Sequence, residues 1–469
     1  MDAQQQTSAQ QKALQINLDA GKYGTFAEIG AGQEVARCFF HVGGAAGTVA
    51  KSMSAYDMAV SDAIYGPAER YVSRKRLQAM LDYEFDLLLQ RLNKTRGATT
   101  TFFTFADTVA TRSFSHQDEG HGWLGIKFQA ESQGPASQII IHVRLLDEEN
   151  VRQQETLGVI GVNLIHGAFF HHHEPETLIA KLMDGLTWRR LEVDMISFSG
   201  PAFAKVDNRL MSLQLVQQQL TEAAMFTADG EVVIPREVLY KKPVLVERGS
   251  FRPITKTTLD MLERGMEQFL REPQMQGESP VILMEMTLRS VLPDPARGHL
   301  DFLDRVDTLS ALGKTVLISN FLRYYRLVGY LSHYTQKMQG IVLGIPSLRS
   351  IFDEQYYVGL EGGMLEALGR LFKGATKLYV YPYRDPKSGS ITTAETMQVA
   401  PHLRHLYAHL LENKHIESIT SYNERYLPIY PHDVLALIQS GEAAWEKMVP
   451  PQIAEIIKRD RLFGWREKN

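Results

Sequence analysis

The stretch of this chain best suited to chemistry is Val244-Leu245-Val246-Glu247-Arg248-Gly249-Ser250-Phe251-Arg252-Pro253-Ile254-Thr255. Its unalternating Val/Leu run predicts a buried strand, Gly249 predicts a turn, and the Leu- and Met-rich residues from Thr258 onward predict a helix. A strand, a glycine turn and a helix start together suit phosphate, because the open N–H groups of a first helical turn and the helix dipole both favour an anion. Arg248 and Arg252 would balance its charge, the Gly249 and Ser250 backbone would hold it, and Thr255 and Thr258 would hydrogen-bond phosphoryl oxygens. Glu285 and Asn320, at the ends of two further expected strands, would line the same pocket, since parallel strands deliver their C-terminal ends to one edge. Glu247 is expected in that cavity as well. No residue is assigned as catalytic.

Gly249-Ser250-Phe251-Arg252-Pro253-Ile254-Thr255 resembles the glycine–serine/threonine–phenylalanine–x–proline turn of adenylyltransferases acting on nicotinamide or nicotinate mononucleotide, and of their phosphopantetheine relatives. The resemblance implies a nucleotide pocket, with ATP and Mg as cofactors if the chain transfers an adenylyl group. In that family a histidine three residues after the threonine stabilises the transferring phosphoryl group, whereas this chain has Thr258, a hydroxyl without charge. The family's second signature has a partial counterpart in Ile318-Ser319-Asn320-Phe321-Leu322-Arg323, with the threonine absent and the arginine one residue early. The turn follows the first strand of its domain in the family and roughly the fourth apolar run here. The expectation is therefore a site that binds phosphate-containing ligands and turns them over slowly or not at all.

Taken with the Gly249 turn, Tyr23-Gly24-Thr25-Phe26-Ala27-Glu28-Ile29-Gly30-Ala31-Gly32-Gln33-Glu34-Val35-Ala36-Arg37 and Ser54-Ala55-Tyr56-Asp57 resemble a widespread bacterial family of similar length. That family has no settled activity, and its members sometimes carry an adenylyltransferase name. The resemblance implies a bacterial, cytosolic protein and no particular chemistry.

Other motifs are weaker. Gly30-Ala31-Gly32-Gln33-Glu34-Val35 begins like a dinucleotide fingerprint but carries Val35 where close helix–strand packing needs a third glycine. Ala50-Lys51-Ser52 lacks both glycines of a phosphate loop, having Ala50 and Ala45 at those positions. His116, Glu119 and His121, then His166 and His171-His172-His173-Glu174, are the metal-ligand types, but consecutive histidines on a strand alternate faces and cannot converge. No metal is expected. Gly-x-Ser-x-Gly is absent, so no nucleophile elbow is present.

Several elements must position these residues. Thr25–Ile29 reads as a short strand, Gln33–His41 as a helix, and Arg74–Leu92 as a long amphipathic helix. Gly122–Ala130, Gln138–Leu146 and Leu157–Phe170 read as an antiparallel meander. Eight apolar runs follow: Val159–Ile165, Leu191–Phe198, Ala223–Phe226, Pro243–Glu247, Val281–Met286, Thr315–Ser319, Gly340–Leu343 and Leu378–Tyr381. Helical patterns alternate with them, Phe321–Tyr334 and Leu348–Phe372 among them, which predicts parallel pairing by right-handed crossovers. The fold expected is α/β, mainly a parallel doubly wound, Rossmann-like sheet, with an N-terminal α+β region and a helical C-terminal tail. An eight-unit β/α barrel is the alternative. The expected boundaries are a flexible tail over 1–15, the α+β region over 16–155, the parallel domain over 156–389 and the helical region over 390–469.

Composition fits a soluble globular chain of 469 residues: 44% hydrophobic, 22% charged, with 50 Lys+Arg against 54 Asp+Glu. The net charge of −4 gives no global basic surface for nucleic acid or an anionic membrane, and neither is expected as a partner. Its single cysteine, Cys38, excludes an intrachain disulfide and fits a cytoplasmic setting. Two readings of function follow. One is a cytosolic nucleotide- or phosphate-ester-binding protein related to mononucleotide adenylyltransferases, with reduced or lost transfer activity. The other is a non-enzymatic, self-associating scaffold or regulator. The apolar helices Phe321–Tyr334 and Leu348–Phe372 lead to the expectation of a homo-oligomer in either case.

Overall fold

The computed structural model describes residues 7–112, 119–291 and 298–467. Its contacts divide the chain into two units, Met1–Glu222 and Ala223–Asn469, so the one boundary falls at neither 155 nor 389.

In the first unit a six-stranded sheet has the order β2-β1-β3-β4-β5-β6. Its strands are β1 (Lys22–Gly30), β2 (Val49–Ser54), β3 (Thr101–Ala110), β4 (Gly120–Gln129), β5 (Ala136–Leu145) and β6 (Leu191–Ser199). β1 runs parallel to both β2 and β3, and the remaining pairs are antiparallel. Helices Glu34–His41 and Asn150–Phe170 cover the face that carries Phe26, Phe103 and Phe105, while Leu77 and Leu81 of helix Arg74–Arg96 lie against Gly125 on the other face.

Three expectations are corrected in this unit. Leu157–Phe170 and Val159–Ile165 are not strands but lie inside helix Asn150–Phe170, which is buried around most of its circumference. The meander is completed instead by β6, the Leu191–Phe198 run expected in the parallel sheet. Residues 9–15 of the expected tail belong to helix Ala9–Asn17, whose Ser8 makes a capping box with Gln11 and whose Ala13 and Ile16 are buried.

The second unit contains an eight-stranded sheet, order β16-β13-β12-β9-β10-β11-β7-β8. The strands are β7 (Ala223–Phe226), β8 (Val232–Val233), β9 (Val244–Arg248), β10 (Val281–Thr287), β11 (Thr315–Ser319), β12 (Gln339–Gly344), β13 (Thr376–Tyr381) and β16 (Ile416–Ser418). A two-stranded hairpin, β14 (Tyr383–Arg384) with β15 (Ile391–Thr392), stands apart. The six strands from β16 to β11 are all parallel, and β7 and β8 add an antiparallel edge. Counted along the chain, β9, β10, β11, β12, β13 and β16 stand in the spatial order 3-2-1-4-5-6 of a doubly wound dinucleotide-binding sheet.

The expected parallel α/β sheet is thus found. It is open, so the barrel alternative is excluded; one of its eight counted runs is helical and another belongs to the first unit. β9 is the first strand of the parallel core, which corrects the expectation that the Gly249 turn follows a fourth strand. The 390–469 region is not wholly helical, since β16 joins the sheet beside β13. Leu348–Phe372 breaks into helix Ile345–Ile351, a 3-10 turn over Glu354–Tyr357 and helix Gly363–Leu371.

Both faces of this sheet are covered. Val244, Val246, Leu283 and Leu317 pack on Leu327 and Leu331 of helix Tyr324–Tyr334. On the opposite face Gly265 of helix Lys256–Leu270 lies against Val342, and Phe269 of the same helix against Gly340. The apolar side of helix Tyr324–Tyr334 is used inside the unit, which removes one motive for expecting self-association. No described helix is long and apolar enough to cross a membrane.

Candidate ligand-binding site

From β9 the chain leads through β10 to β11 on one side and returns as β12 on the other. The carboxyl ends of β9 and β12 therefore flank the point where strand order reverses, the usual ligand crevice of an open α/β sheet. Arg248 closes β9 and Gly344 closes β12 there.

Register brings Arg248 beside Glu285 of β10. The guanidinium donates to the fully buried Glu285 carboxylate from Nε at 2.5 Å and from Nη2 at 2.7 Å, and the Ser319 hydroxyl of β11 donates to the same carboxylate at 2.5 Å. The Arg248 guanidinium lies 4.4 Å from the centre of the Tyr324 ring, whose hydroxyl is hydrogen-bonded to Ser347 just beyond β12. Burial opposes the Arg248 charge, but Glu285 outweighs it and holds the guanidinium above its ordinary value. The network runs from β11 to β12 along one edge. A guanidinium has five N–H donors, of which these two bonds use Nε and Nη2.

Glu247 goes elsewhere. Neighbouring residues on a strand face opposite ways, so its side chain lies on the face of helix Lys256–Leu270, away from Arg248 and Glu285. It is fully buried, and neither carboxyl oxygen has a hydrogen-bond partner. Burial pushes its pKa well above the carboxylate range, against the opposing charge of Lys314. The expectation of one cavity shared by Glu247, Arg248, Glu285 and Asn320 is corrected on this point.

Beyond β9, the turn is packed from within. A Cβ added to Gly249 would meet the Phe251 ring at 2.7 Å; the ring is buried and Phe251 has φ of +47°. Gly249 therefore makes room for Phe251, where the sequence suggested room for a ligand. Ser250 is exposed, and its carbonyl accepts from Arg305 at 3.1 Å. Arg252, with 36% of its side chain exposed, donates to Asp301, which also accepts from Arg305.

Thr255 and Thr258 serve the helix. Thr255 is its N-cap, accepting from the Thr258 N–H at 3.2 Å with the two hydroxyls 3.1 Å apart, and the Lys256 N–H donates to the Met448 carbonyl at 2.9 Å. Two donors of the first turn are thereby occupied, contrary to the expectation that they await phosphate. Asn320 is exposed at the end of β11, two strands from β9. The structure thus unites Arg248 and Glu285, places Gly249, Ser250 and Arg252 in the adjoining turn, and sets Thr255, Thr258 and Asn320 apart from the ion pair. Sequence reasoning missed Tyr324 and Ser347; the signal for Ser347 was Gly344-Ile345-Pro346-Ser347 at the end of an apolar run.

Several other groups have local roles. His171 caps the C-terminus of helix Asn150–Phe170, and His166 is stacked on Phe170 with burial pushing its pKa down to about 4. Among the described residues no cluster of three or more His, Cys, Asp or Glu could hold a metal; His116 lies outside them.

No family model matches the chain, and no curated protein matches it. Among solved structures, the competence/damage inducible protein CihA from Agrobacterium tumefaciens is similar at 16% identity over 34% of this chain and 93% of its own, with a TM-score of 0.25. The competence-damaged protein (CinA) superfamily protein from Enterobacter cloacae is similar at 12% identity over 36% of this chain and 96% of its own, with a TM-score of 0.26. A Plasmodium falciparum nicotinic acid mononucleotide adenylyltransferase is similar at 12% identity over 48% of this chain and 98% of its own, with a TM-score of 0.30.

Proposed function

We propose that the second unit binds the phosphate-bearing part of a nucleotide or phosphate ester where β9 and β12 part, with little or no turnover. The observation that carries this reading is the position of the Arg248–Gly249–Ser250 turn, which leaves the first strand of a 3-2-1-4-5-6 sheet at its reversal point. Arg248 supplies a fixed cation there and Ser250 an exposed hydroxyl, and Arg252 adds a second, partly exposed cation. Slow turnover is expected because Thr258 stands where the resembling adenylyltransferases carry their phosphoryl-stabilising histidine, and its uncharged hydroxyl is engaged with Thr255 in the helix cap.

A purely structural turn is the opposing reading. It is favoured by the commitment of Arg248 to Glu285, Arg252 to Asp301 and Gly249 to the Phe251 ring.

Calorimetric titration with ATP, mononucleotides and inorganic phosphate, followed by a pyrophosphate assay, separates the two. Binding without pyrophosphate release is expected. Ser250→Glu, which sets a carboxylate on an exposed position of the turn, is expected to weaken binding at least about tenfold, since charge-assisted bonds contribute about 1.5–3 kcal/mol each, and to leave the melting temperature unchanged. No binding, or binding indifferent to this substitution, would establish the turn as structural. Rapid pyrophosphate release would show that another group replaces the missing histidine.

A further inference from the structure

We infer that Glu28 and Asp107 of the first unit form a buried carboxyl pair beneath the Gly30–Gly32 turn and helix Glu34–His41, and that the turn and helix open when the pair ionises. Glu28 and Asp107 are register partners on the parallel strands β1 and β3, so their side chains leave the sheet side by side on one face. They stand near the carboxyl ends of strands where β1 has β2 on one side and β3 on the other. Their surroundings are closed: Glu28 is 2% and Asp107 0% exposed.

Both oxygens of Asp107 and Oε1 of Glu28 have no hydrogen-bond partner. Buried polar groups are paired as a rule, and three orphaned oxygens in two adjacent acids mark a place for protons. The turn above is shaped around the pair. A Cβ on Gly32 would lie 2.0 Å from each Asp107 oxygen, and Gly30 takes φ of +90°. Glu28 is next to the surface, because the exposed Ser54 hydroxyl lies 3.5 Å from its Oε2 and is itself 3.0 Å from the Gln33 amide, which also donates to the Gly30 carbonyl.

The charge of Glu28 acts on Asp107, and that of Glu34, which is engaged by Arg37 at 2.8 Å, acts on Glu28. β2 contributes only the Ser54 hydroxyl, and the β4 residue opposite Asp107 is the apolar Leu124. In helix Asn150–Phe170, Gly158 and Gly161 face Glu34 and Val35 and bring no charge. Burial pushes Glu28 up to about 7, partly offset by the Ala36 N–H and Ser54, and burial with the Glu28 charge pushes Asp107 well above the carboxylate range.

The sign follows from proton counting. The folded pair holds protons that the unfolded chain releases near the ordinary carboxylate range of about 4, so stability is full below that range and is lost as pH rises through about 7. Two ionised carboxylates cannot stay adjacent in this closed space, and the turn and helix must open to hydrate them.

Hydrogen exchange of the full chain, corrected for intrinsic rates, tests this at helix Glu34–His41. In the wild type its amides are expected to exchange about tenfold faster at about pH 8 than at about pH 5.5. The double variant Glu28→Gln/Asp107→Asn is expected to lose that difference. Equal exchange at the two pH values, or an unchanged difference in the double variant, overturns the proposal. Infrared spectroscopy needs no variant to fold: the wild type is expected to show protonated-carboxyl absorption at about pH 6 that falls as pH rises. Glu247→Gln separates the contribution of Glu247, and absence of any further protonated-carboxyl absorption also overturns the proposal.

Discussion

Replacing Arg248 by methionine is expected to lower the stability of the protein by about 3–5 kcal/mol, whereas replacing Arg248 by methionine and Glu285 by leucine together is expected to recover most of that loss. The asymmetry comes from desolvation. Glu285 is fully buried, and Arg248 has 13% of its side chain exposed, so each ion has given up nearly all of its hydration. Their bidentate bond offsets this only while both are present. Removing Arg248 leaves a carboxylate in the sheet with the Ser319 hydroxyl as its remaining bond partner. Removing both leaves an apolar strand edge that packs like the Val and Leu positions beside it. Denaturant titration of the full chain measures the difference. A loss below about 1 kcal/mol for the single variant, the value typical of exposed pairs, or a double variant less stable than the single one, would contradict it. The double variant also isolates Arg248 as a ligand cation, since a protein of near wild-type stability that no longer binds phosphate cannot owe the loss to a broken sheet.

The same pair shows how far the sequence was legible. β9, β10, β11, β12 and β13 could be read because strands covered on both faces are unbroken Val, Ile and Leu runs. That rule also misled. Helix Asn150–Phe170 is buried on most of its circumference, so Leu157-Gly158-Val159-Ile160-Gly161-Val162 shows no helical stripe and looks like a buried strand. β16 went unseen because it has three residues and its one apolar member is Ile416.

At the candidate site, strand ends were legible and partners were not. Glu285 was expected to line a pocket, and it is the counterion that fixes Arg248. The pairing depends on the register of β9 against β10, which no local pattern specifies. Likewise a glycine in a turn signals that space is needed without saying whose; at Gly249 it is that of Phe251. Glu28 and Asp107 stand far apart in sequence, in two strands whose parallel pairing was not expected, and only the sheet brings them together.

Helix Ala9–Asn17 gives the sharpest contrast between composition and structure, and the second large effect. Lys12 sits in a Gln-rich stretch that reads as a frayed tail, yet it has 1% of its side chain exposed. Its ammonium donates to Asp184 at 2.7 Å, to the Asn163 side chain at 2.8 Å and to the Lys181 carbonyl at 3.4 Å. Burial lowers its pKa, with Asp184 opposing. Asn163 in turn donates to the Leu182 and Asp184 carbonyls at 2.8 Å each, so one buried lysine ties helix Ala9–Asn17 to helix Asn150–Phe170 and to the residues that follow helix Pro175–Leu182. Lys12→Met is expected to cost about 3–5 kcal/mol, chiefly because the buried Asp184 carboxylate loses its 2.7 Å partner and keeps only Lys181, 3.8 Å away and partly exposed. Lys12→Met with Asp184→Asn is expected to recover part of that loss, since the amide carries no charge to desolvate. Denaturant titration of the three proteins decides the matter. A tail would respond otherwise: an exposed, frayed segment tolerates Lys12→Met within about 0.5 kcal/mol, and that outcome would return residues 9–15 to the flexible end that their composition suggests.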